Sequence, residues 1–374
     1  MSLTPKERVL AQIRHQETDY VPYTLRFEGD VAERLDVHYG SDAWRSLVDD
    51  AIRRLPGPGL EVYQTGEPYY TDLYGSRWQV DHRTFHLVEP ALKAPSLEGF
   101  TFPDREAIFK PSWEEDVRRA IKRQEDHFLV IGFGTGLFER SWGLRGFEET
   151  MMDIVVHPDF YEELIERLTD HQMEIVERLL EFPVDGILFA DDWGYQQGVL
   201  IGAERWRKIF KPRLARLYQR VHEAGKYVLT HCCGSIEEIL SDAIEIGLDV
   251  YQSVQPEAKN NDPYELKHKY GDRITFWGGL GSQSTIPFGT PDEIKAEVAR
   301  LCREMGRGGG YVLCPAKPLQ PGTPTENAAA VVEAFLHQAG AAFRPPLNPP
   351  REARRGESNT PLELIVESPF DRRR

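Results

Sequence analysis

The chain lacks most of what would tie it to a membrane, to nucleic acid or to an oxidising compartment. In 374 residues no apolar run reaches the roughly 18 to 20 residues that a membrane-spanning helix needs. Met1 to Glu17 is charged and has no apolar stretch of signal-peptide type, so no targeting segment is expected. Basic residues are in deficit, with 45 Lys and Arg against 60 Asp and Glu, a formal net charge of −15. That balance argues against nucleic acid and anionic membrane as partners, since both require basic patches. It still allows a local cationic pocket for an acidic substrate. There are only four cysteines, Cys232, Cys233, Cys302 and Cys314. Two are adjacent and the set forms no secreted-type framework, so a reducing, cytoplasmic setting is expected. No G-x-G-x-x-G follows the first strand, and P-loop, G-x-S-x-G and H-E-x-x-H motifs are absent too.

What remains is ordinary globular material, 40% hydrophobic and 28% charged. Thr4-Pro5-Lys6-Glu7 reads as a helix start with Pro in the first turn. Residues 20–27 read as a first strand, about 30 to 55 as helix, and 61–64 as a second strand. Residues 71–89 are rich in aromatic and β-branched residues and read as an antiparallel hairpin. From about residue 113 helix and strand alternate, with strands expected at 128–133, 186–190, 227–230, 249–254, 274–277 and 311–314. Strand then helix, repeated, implies right-handed βαβ units and a parallel sheet. With the first two, the strands number eight, the count that closes a (β/α)8 TIM barrel. The expected architecture is one barrel domain over residues 1–343, with N-terminal helices and the inserted hairpin. A Pro/Arg-rich tail, residues 344–374, follows it.

In such a barrel, chemistry sits at the C-terminal ends of the strands. There the sequence collects polar and metal-capable groups: Arg26, Glu139, Asp191-Asp192-Trp193, His231-Cys232-Cys233, Gln252, Gln255, Gly278-Gly279 and Cys314. The opposite ends carry ordinary turns. Alternate residues of a strand share a face, so His231 and Cys233 can converge while Cys232 turns away. Cysteine and histidine are preferred zinc ligands, and three protein ligands leave one position open for chemistry. His231, Cys233 and Cys314 are therefore the candidate zinc site. The competing reading is a set of reduced, partly buried thiols beside a core histidine. Asp191 or Asp192 can act as acid, base or ligand, and only one of two neighbours can face inward. Arg26 can hold a carboxylate or pair with Glu28, and Glu139 can be catalytic or ion-paired within its helix. Gln252, Gln255, Trp193, Gly278 and Gly279 are candidate substrate contacts. The run Tyr63, Tyr69, Tyr70, Tyr74 and Trp78 reads as a satellite core.

Several stretches together resemble one superfamily. They include Gly146 to Asp153 with His157-Pro158, Asp191-Asp-Trp-Gly194, Phe210-Lys-Pro212, His231-Cys-Cys-Gly234, Tyr270-Gly-Asp-Arg273, Trp277-Gly-Gly279, Gly289-Thr-Pro291 and Glu326-Asn327. Over about residues 1 to 340 the chain resembles the uroporphyrinogen decarboxylase superfamily, which includes corrinoid-linked methyltransferases acting on coenzyme M. The resemblance implies a (β/α)8 barrel with its site at the C-terminal rim. In the decarboxylases an arginine-rich segment follows the first strand. Here the stretch is Leu25-Arg-Phe-Glu-Gly-Asp30, which keeps Arg26 and has Asp30 at the second arginine position. No aspartate stands in the decarboxylase context near residues 61–66. The methyltransferase branch carries H-x-C followed far downstream by Cys, a pattern that His231, Cys233 and Cys314 match.

That branch implies one zinc per chain, a corrinoid carried by a separate protein, a small methylated or thiol substrate and a homodimer. It commonly has a Glu near the end of the next strand, where this chain has Gln255. Glu257, Asp191, Glu139 and water are then candidates for the fourth zinc position. The expected function is zinc-dependent methyl transfer. A decarboxylase using Arg26 and an aspartate at 191–192 is the alternative, and a non-catalytic zinc or small-molecule-binding barrel is the third reading.

Overall fold

The computed structural model describes residues 3–59, 67–81 and 85–340. Its helices are α1 (Pro5–Ile13), α2 (Val31–Tyr39), α3 (Arg105–Ile108), α4 (Pro111–Arg123), α5 (Leu137–Arg145), α6 (Phe147–Val156), α7 (Pro158–Leu179), α8 (Ala203–Ile209), α9 (Lys211–Glu223), α10 (Glu237–Glu245), α11 (Pro263–Tyr270), α12 (Thr285–Phe288), α13 (Pro291–Met305) and α14 (Thr325–Gln338). Its strands are β1 (Ile52–Arg54), β2 (Tyr69–Thr71), β3 (Arg77–Gln79), β4 (His86–Glu89), β5 (Phe128–Gly132), β6 (Gly186–Ala190), β7 (Gly194–Tyr195), β8 (Gly198–Val199), β9 (Tyr227–His231), β10 (Val250–Ser253), β11 (Thr275–Leu280) and β12 (Tyr311–Pro315).

Seven strands pair in parallel in the order β1-β5-β6-β9-β10-β11-β12. The residues expected as the first strand occupy the eighth place through isolated bridges, Tyr23 to Leu313 and Phe27 to Leu319. Thr24 N–H donates to Leu313 O at 3.0 Å, and Ala51 N–H donates to Tyr23 O at 2.8 Å, so this segment joins β12 to the β1 side. The curled parallel sheet with its surrounding helices is the expected barrel.

Period-two alternation divides the side chains into two cores. Phe128, Val130, Leu188, Leu229, Val250, Trp277 and Val312 pack together with Val9, Leu10 and Ile13 of α1, so α1 packs into the cluster on this face of the sheet. Leu129, Ile131, Ile187, Phe189, Val228 and Tyr251 belong to the larger core shared with the outer helices. The start of α1 is fixed by a capping box. Glu7 N–H donates to Thr4 Oγ1 and Thr4 N–H donates back to the Glu7 carboxylate.

The stretch read as helix to residue 55 holds α2 only as far as Tyr39, where Gly40 adopts a left-handed φ of 74° and ends it. A 3₁₀ turn, Ala43–Leu47, follows, and then β1 takes the barrel position adjoining β5. The expected strand at 61–64, His82, Tyr63 and the tail from 344 lie outside the described residues. The hairpin is a three-stranded antiparallel meander, β2-β3-β4. Between β8 and β9 the chain forms two helices, α8 and α9, divided at Phe210.

Candidate active site

The ends of β6 and β9 build the centre of the rim. After β6 the chain runs Asp191-Asp192-Trp193-Gly194, and after β9 it runs Cys232-Cys233-Gly234. The two turns lie directly on each other. A Cβ on Gly194 would meet Cys233 O at 2.6 Å, and one on Gly234 would meet Tyr195 N at 2.7 Å. Gly234 also has a φ of 72°, where side chains are strained. This close backbone approach puts Asp192 beside Cys233, whose N–H donates to Asp192 Oδ1 at 2.8 Å.

His231 and Cys233 converge as strand alternation requires. Cys233 Sγ lies 3.4 Å from His231 Nε2. Cys232 is fully buried, its thiol donating to Cys233 O. The ligand atoms of Asp192, His231 and Cys233 all lie within 4.8 Å of one another. His231 Nδ1 meets Gln252 Oε1 at 3.0 Å, and the same oxygen accepts from Arg54 Nη2 at 2.6 Å. An oxygen that serves two donors makes Nδ1 the protonated nitrogen and leaves the Nε2 lone pair aimed toward Cys233. Burial, and then the charge of Asp192, push the Cys233 thiol pKa up, while His231 and Lys317 pull it down.

The aspartate pair divides its roles. Asp191 is buried and accepts from Phe138 N–H, Glu139 N–H and Trp193 Nε1 at 2.8 to 2.9 Å. It holds the N-terminus of α5, where unpaired N–H groups favour a carboxylate. Burial nevertheless pushes its pKa up to about 7. Asp192 is the one that faces the site. Glu139 is buried in α5, and Trp193 packs edge-on against Trp206. Neither lines the two rim cavities.

The larger cavity, about 140 Å³, is walled by Phe138, Trp142 and Phe147 on one side and by Asp192, Cys233, Gln255 and Lys317 on the other. The smaller, about 20 Å³, is lined by Thr24, Arg26, Arg54, His231, Gln252, Trp277, Cys314 and Lys317 among others. Cys314 thus shares a cavity with His231 and stands apart from the Asp192–His231–Cys233 cluster. Burial pushes its thiol up to about 11, and its main hydrogen-bond partner is Thr24. Glu257, the other acid near β10, accepts from Gln283 N–H and Ser284 Oγ and so fastens the turn after β11. Gly278 and Gly279 have packing reasons for lacking a side chain. A Cβ on Gly278 would lie 1.7 Å from Ser253 O, and one on Gly279 would face Leu301, Pro263 and Tyr311. Arg54 and Lys317 were not among the sequence candidates. Arg54 fell in a stretch read as helix, and Lys317 followed a proline after the last strand.

The uroporphyrinogen decarboxylase (URO-D) profile matches residues 86–337, most of the chain. The chain belongs to the uroporphyrinogen decarboxylase family. Within that family it is 30% identical over 348 residues to the methylcobamide:CoM methyltransferase MtaA of Methanosarcina barkeri, an alignment covering 88% of this chain and 97% of that protein. It is 27% identical to a uroporphyrinogen decarboxylase from Anaeromyxobacter sp., over 79% of this chain and 80% of the relative. A solved methyltransferase from Methanosarcina mazei superposes with a TM-score of 0.67 at 22% identity, covering 91% of this chain and all of that one, and shows the same barrel fold. The family member described here is therefore an enzyme more similar to these methyltransferases than to the decarboxylases, as its motifs led one to expect. Among the described residues no helix is long and apolar enough to cross a membrane.

Proposed function

We propose that this chain is a zinc-dependent methyltransferase moving a methyl group between a small substrate or thiol and a corrinoid carried by a separate protein. The observation that carries this reading is the convergence of Asp192, His231 and Cys233 at the mouth of the barrel, beside a cavity with an aromatic wall. The relatives named methylcobamide:CoM methyltransferase support it.

The donor set fits zinc. It offers one imidazole nitrogen, one thiol and one carboxylate, and the 3.4 Å between Nε2 and Sγ is close to the roughly 3.5 Å that tetrahedral bond lengths imply. Gln252 fixes the ring so that Nε2 is the ligating atom, the usual outer support of a zinc histidine. In this reading His231 and Cys233 are two of the ligands, and Asp192 and Cys314 compete for the third position. Bound zinc would hold a thiol as thiolate at neutral pH, making it a nucleophile toward a methyl group. The chain's own groups do the rest. Phe138, Trp142 and Phe147 offer an apolar wall for the methyl-bearing part and keep water from it. Lys317 lies close enough to act on the Cys233 sulfur. A cavity of about 140 Å³ has room for the reacting end of a small substrate.

Metal analysis of protein purified without added zinc tests the reading. One zinc per chain is expected, lost in Cys233→Ser, and loss in either Asp192→Asn or Cys314→Ser identifies the third ligand. The zinc-loaded protein is expected to methylate a small thiol from methylcobamide. Metal-free protein whose transfer activity is indifferent to Cys233→Ser would overturn the reading.

A further inference from the structure

Ile52, Leu229, Val250 and Val312 pack in the smaller core, on one face of the sheet. Two residues further along each strand, the same face carries Arg54, His231, Gln252 and Cys314. This upper layer is polar, and three of its members are joined in one line. Gln252 is the register partner of His231 on β9 and of Trp277 on β11. Its Oε1 meets His231 Nδ1 at 3.0 Å and accepts from Arg54 Nη2 at 2.6 Å. Arg54 reaches it from β1, four places away in the strand order. The guanidinium carbon lies over the Trp277 ring, 5.4 Å from its centroid. Trp277 is buried and tied through Nε1 to Thr24 Oγ1 at 2.8 Å, which fixes the surface beneath the guanidinium.

The line has a direction, and Arg54 sets it. A guanidinium carries only N–H donors and accepts nothing. A primary amide has an oxygen at one end and an NH2 at the other, so its partners decide which end faces which neighbour. Facing Arg54, Gln252 must present Oε1. An oxygen only accepts, so His231 Nδ1 must be the protonated nitrogen. The lone pair is then left on Nε2, 3.4 Å from Cys233 Sγ. Without the guanidinium the amide can turn over. Its NH2 would donate to Nδ1, the ring proton would sit on Nε2, and the nitrogen beside Cys233 would be blocked. Each arrangement holds one hydrogen bond between Gln252 and His231, so that pair alone does not choose between them.

We infer that Arg54 is a positioning residue for His231, acting through Gln252 to keep the imidazole in the tautomer whose Nε2 can bind a metal. This rests on the zinc reading for what Nε2 does. It gives β1 a part in the site without supplying a ligand atom, and Arg54 takes no proton or methyl group. The sign of its effect is distinctive. The positive charge of Arg54 by itself works against a nearby metal cation. Simple repulsion therefore makes zinc bind more tightly once Arg54 is gone, whereas loss of the tautomer makes it bind more weakly.

The test uses the full-length protein with isotopically labelled histidine. In the metal-free state, above the titration of the ring, long-range proton–nitrogen correlation spectra report which nitrogen of His231 carries the proton. His231→Asn assigns the signal. Wild type is expected to show the Nδ1–H form alone. Arg54→Met is expected to show the Nε2–H form, alone or mixed, and to bind zinc about tenfold more weakly in chelator competition, as for other outer partners of a metal histidine. Arg54→Lys, also a donor that accepts nothing, is expected to restore both. Gln252→Glu supplies an acceptor that gains nothing by turning over, so in that background Arg54→Met should leave the tautomer unchanged. Circular dichroism reports whether each variant is folded. If Arg54→Met is not, Arg54→Gln, which accepts as well as donates, takes its place. A wild-type ring protonated at Nε2, an unchanged tautomer in Arg54→Met, or tighter zinc binding by that variant overturns the inference. The spectra need no zinc, so the two claims separate. Tautomer control by Arg54 in a chain that binds no zinc removes the proposed function and leaves the positioning role standing. Zinc that is lost in Cys233→Ser but held equally well in Arg54→Met, with the tautomer unchanged, does the reverse.

Discussion

Asp191 and Asp192 leave the end of β6 in opposite directions, and the cause lies 55 residues upstream at Gly136. A Cβ there would stand 2.6 Å from the Asp191 carboxyl carbon and 2.4 Å from Ala190 O, so only glycine lets Asp191 reach the first N–H groups of α5. That clearance is invisible in the sequence, which showed two equivalent acids and left the choice open. The convergence of His231 and Cys233, by contrast, was legible, because it follows from the two-residue period of a strand. The split of roles sets a paired expectation. Asp191→Ala leaves buried N–H donors unpaired and should cost about 1–3 kcal/mol in chemical denaturation, with bound metal retained. Asp192→Asn should change stability little and weaken metal retention during dialysis against a chelator. The result that contradicts the assignment is metal loss in the first variant alone. Gly278 offers a sharper test of packing. An alanine there puts Cβ 1.7 Å from Ser253 O at a φ of 144°, so Gly278→Ala should displace β10 from β11 and yield little soluble protein. Soluble Gly278→Ala with a wild-type melting curve would show that the strands can separate at no cost.

The parallel strands from β5 onward were legible because each is a short apolar run preceded by an amphipathic helix. The N-terminal quarter was not. β1 is three residues long, Ile52-Arg53-Arg54, and its two arginines disguise a strand whose one apolar residue is buried in the barrel. The meander was legible as an antiparallel excursion, but its attachment was not. Asp72 ties the meander together, accepting from Tyr74 N–H, Ser76 N–H and Trp78 Nε1; it docks through Ser76, whose hydroxyl donates to Gly143 O of α5 at 2.8 Å, and through Tyr74, whose hydroxyl meets His171 Nε2 at 3.1 Å on α7. Phe102 stacks on the same imidazole at 4.9 Å. Burial, and then the nearby Arg140 guanidinium, lower the His171 pKa to about 4, so the ring is neutral in the folded protein at pH 7. The sign follows from linkage. A base depressed from 6.5 to about 4 contributes stability that is complete above pH 6.5 and is lost as pH falls toward 4. The upper bound is about 3 kcal/mol, from 1.36 kcal/mol per unit. His171→Gln keeps a polar partner for Tyr74 and removes the titration. In urea denaturation at pH 7 and pH 4.5, wild type should lose more stability between the two than His171→Gln does. Equal losses would show that the docked meander does not depend on a neutral imidazole.

At the scale of the whole barrel, the seam between β12 and β1 is the place where the fold and the proposed chemistry meet. Six neighbouring strand pairs in the sheet have continuous parallel registers, whereas the segment at residues 20–27 is joined to β12 by two isolated bridges and to the β1 side through Ala51 N–H. Toward β1 the segment is held by the backbone hydrogen bond from Ala51 N–H to Tyr23 O, so this closure is expected to open at the lowest free energy in the sheet. The lining of the smaller cavity comes from both sides of the seam. Thr24 and Arg26 lie on the bridging segment, Arg54 on β1, and Cys314 to Pro318 at and beyond the end of β12. Hydrogen exchange read by mass spectrometry should therefore find the amides of Thr24, Glu28, Ala51, Leu313 and Leu319 less protected than those of β9, β10 and β11 in the free protein. Seam protection equal to that of β10 in the free protein would mean that two bridges close this barrel as firmly as a full ladder does.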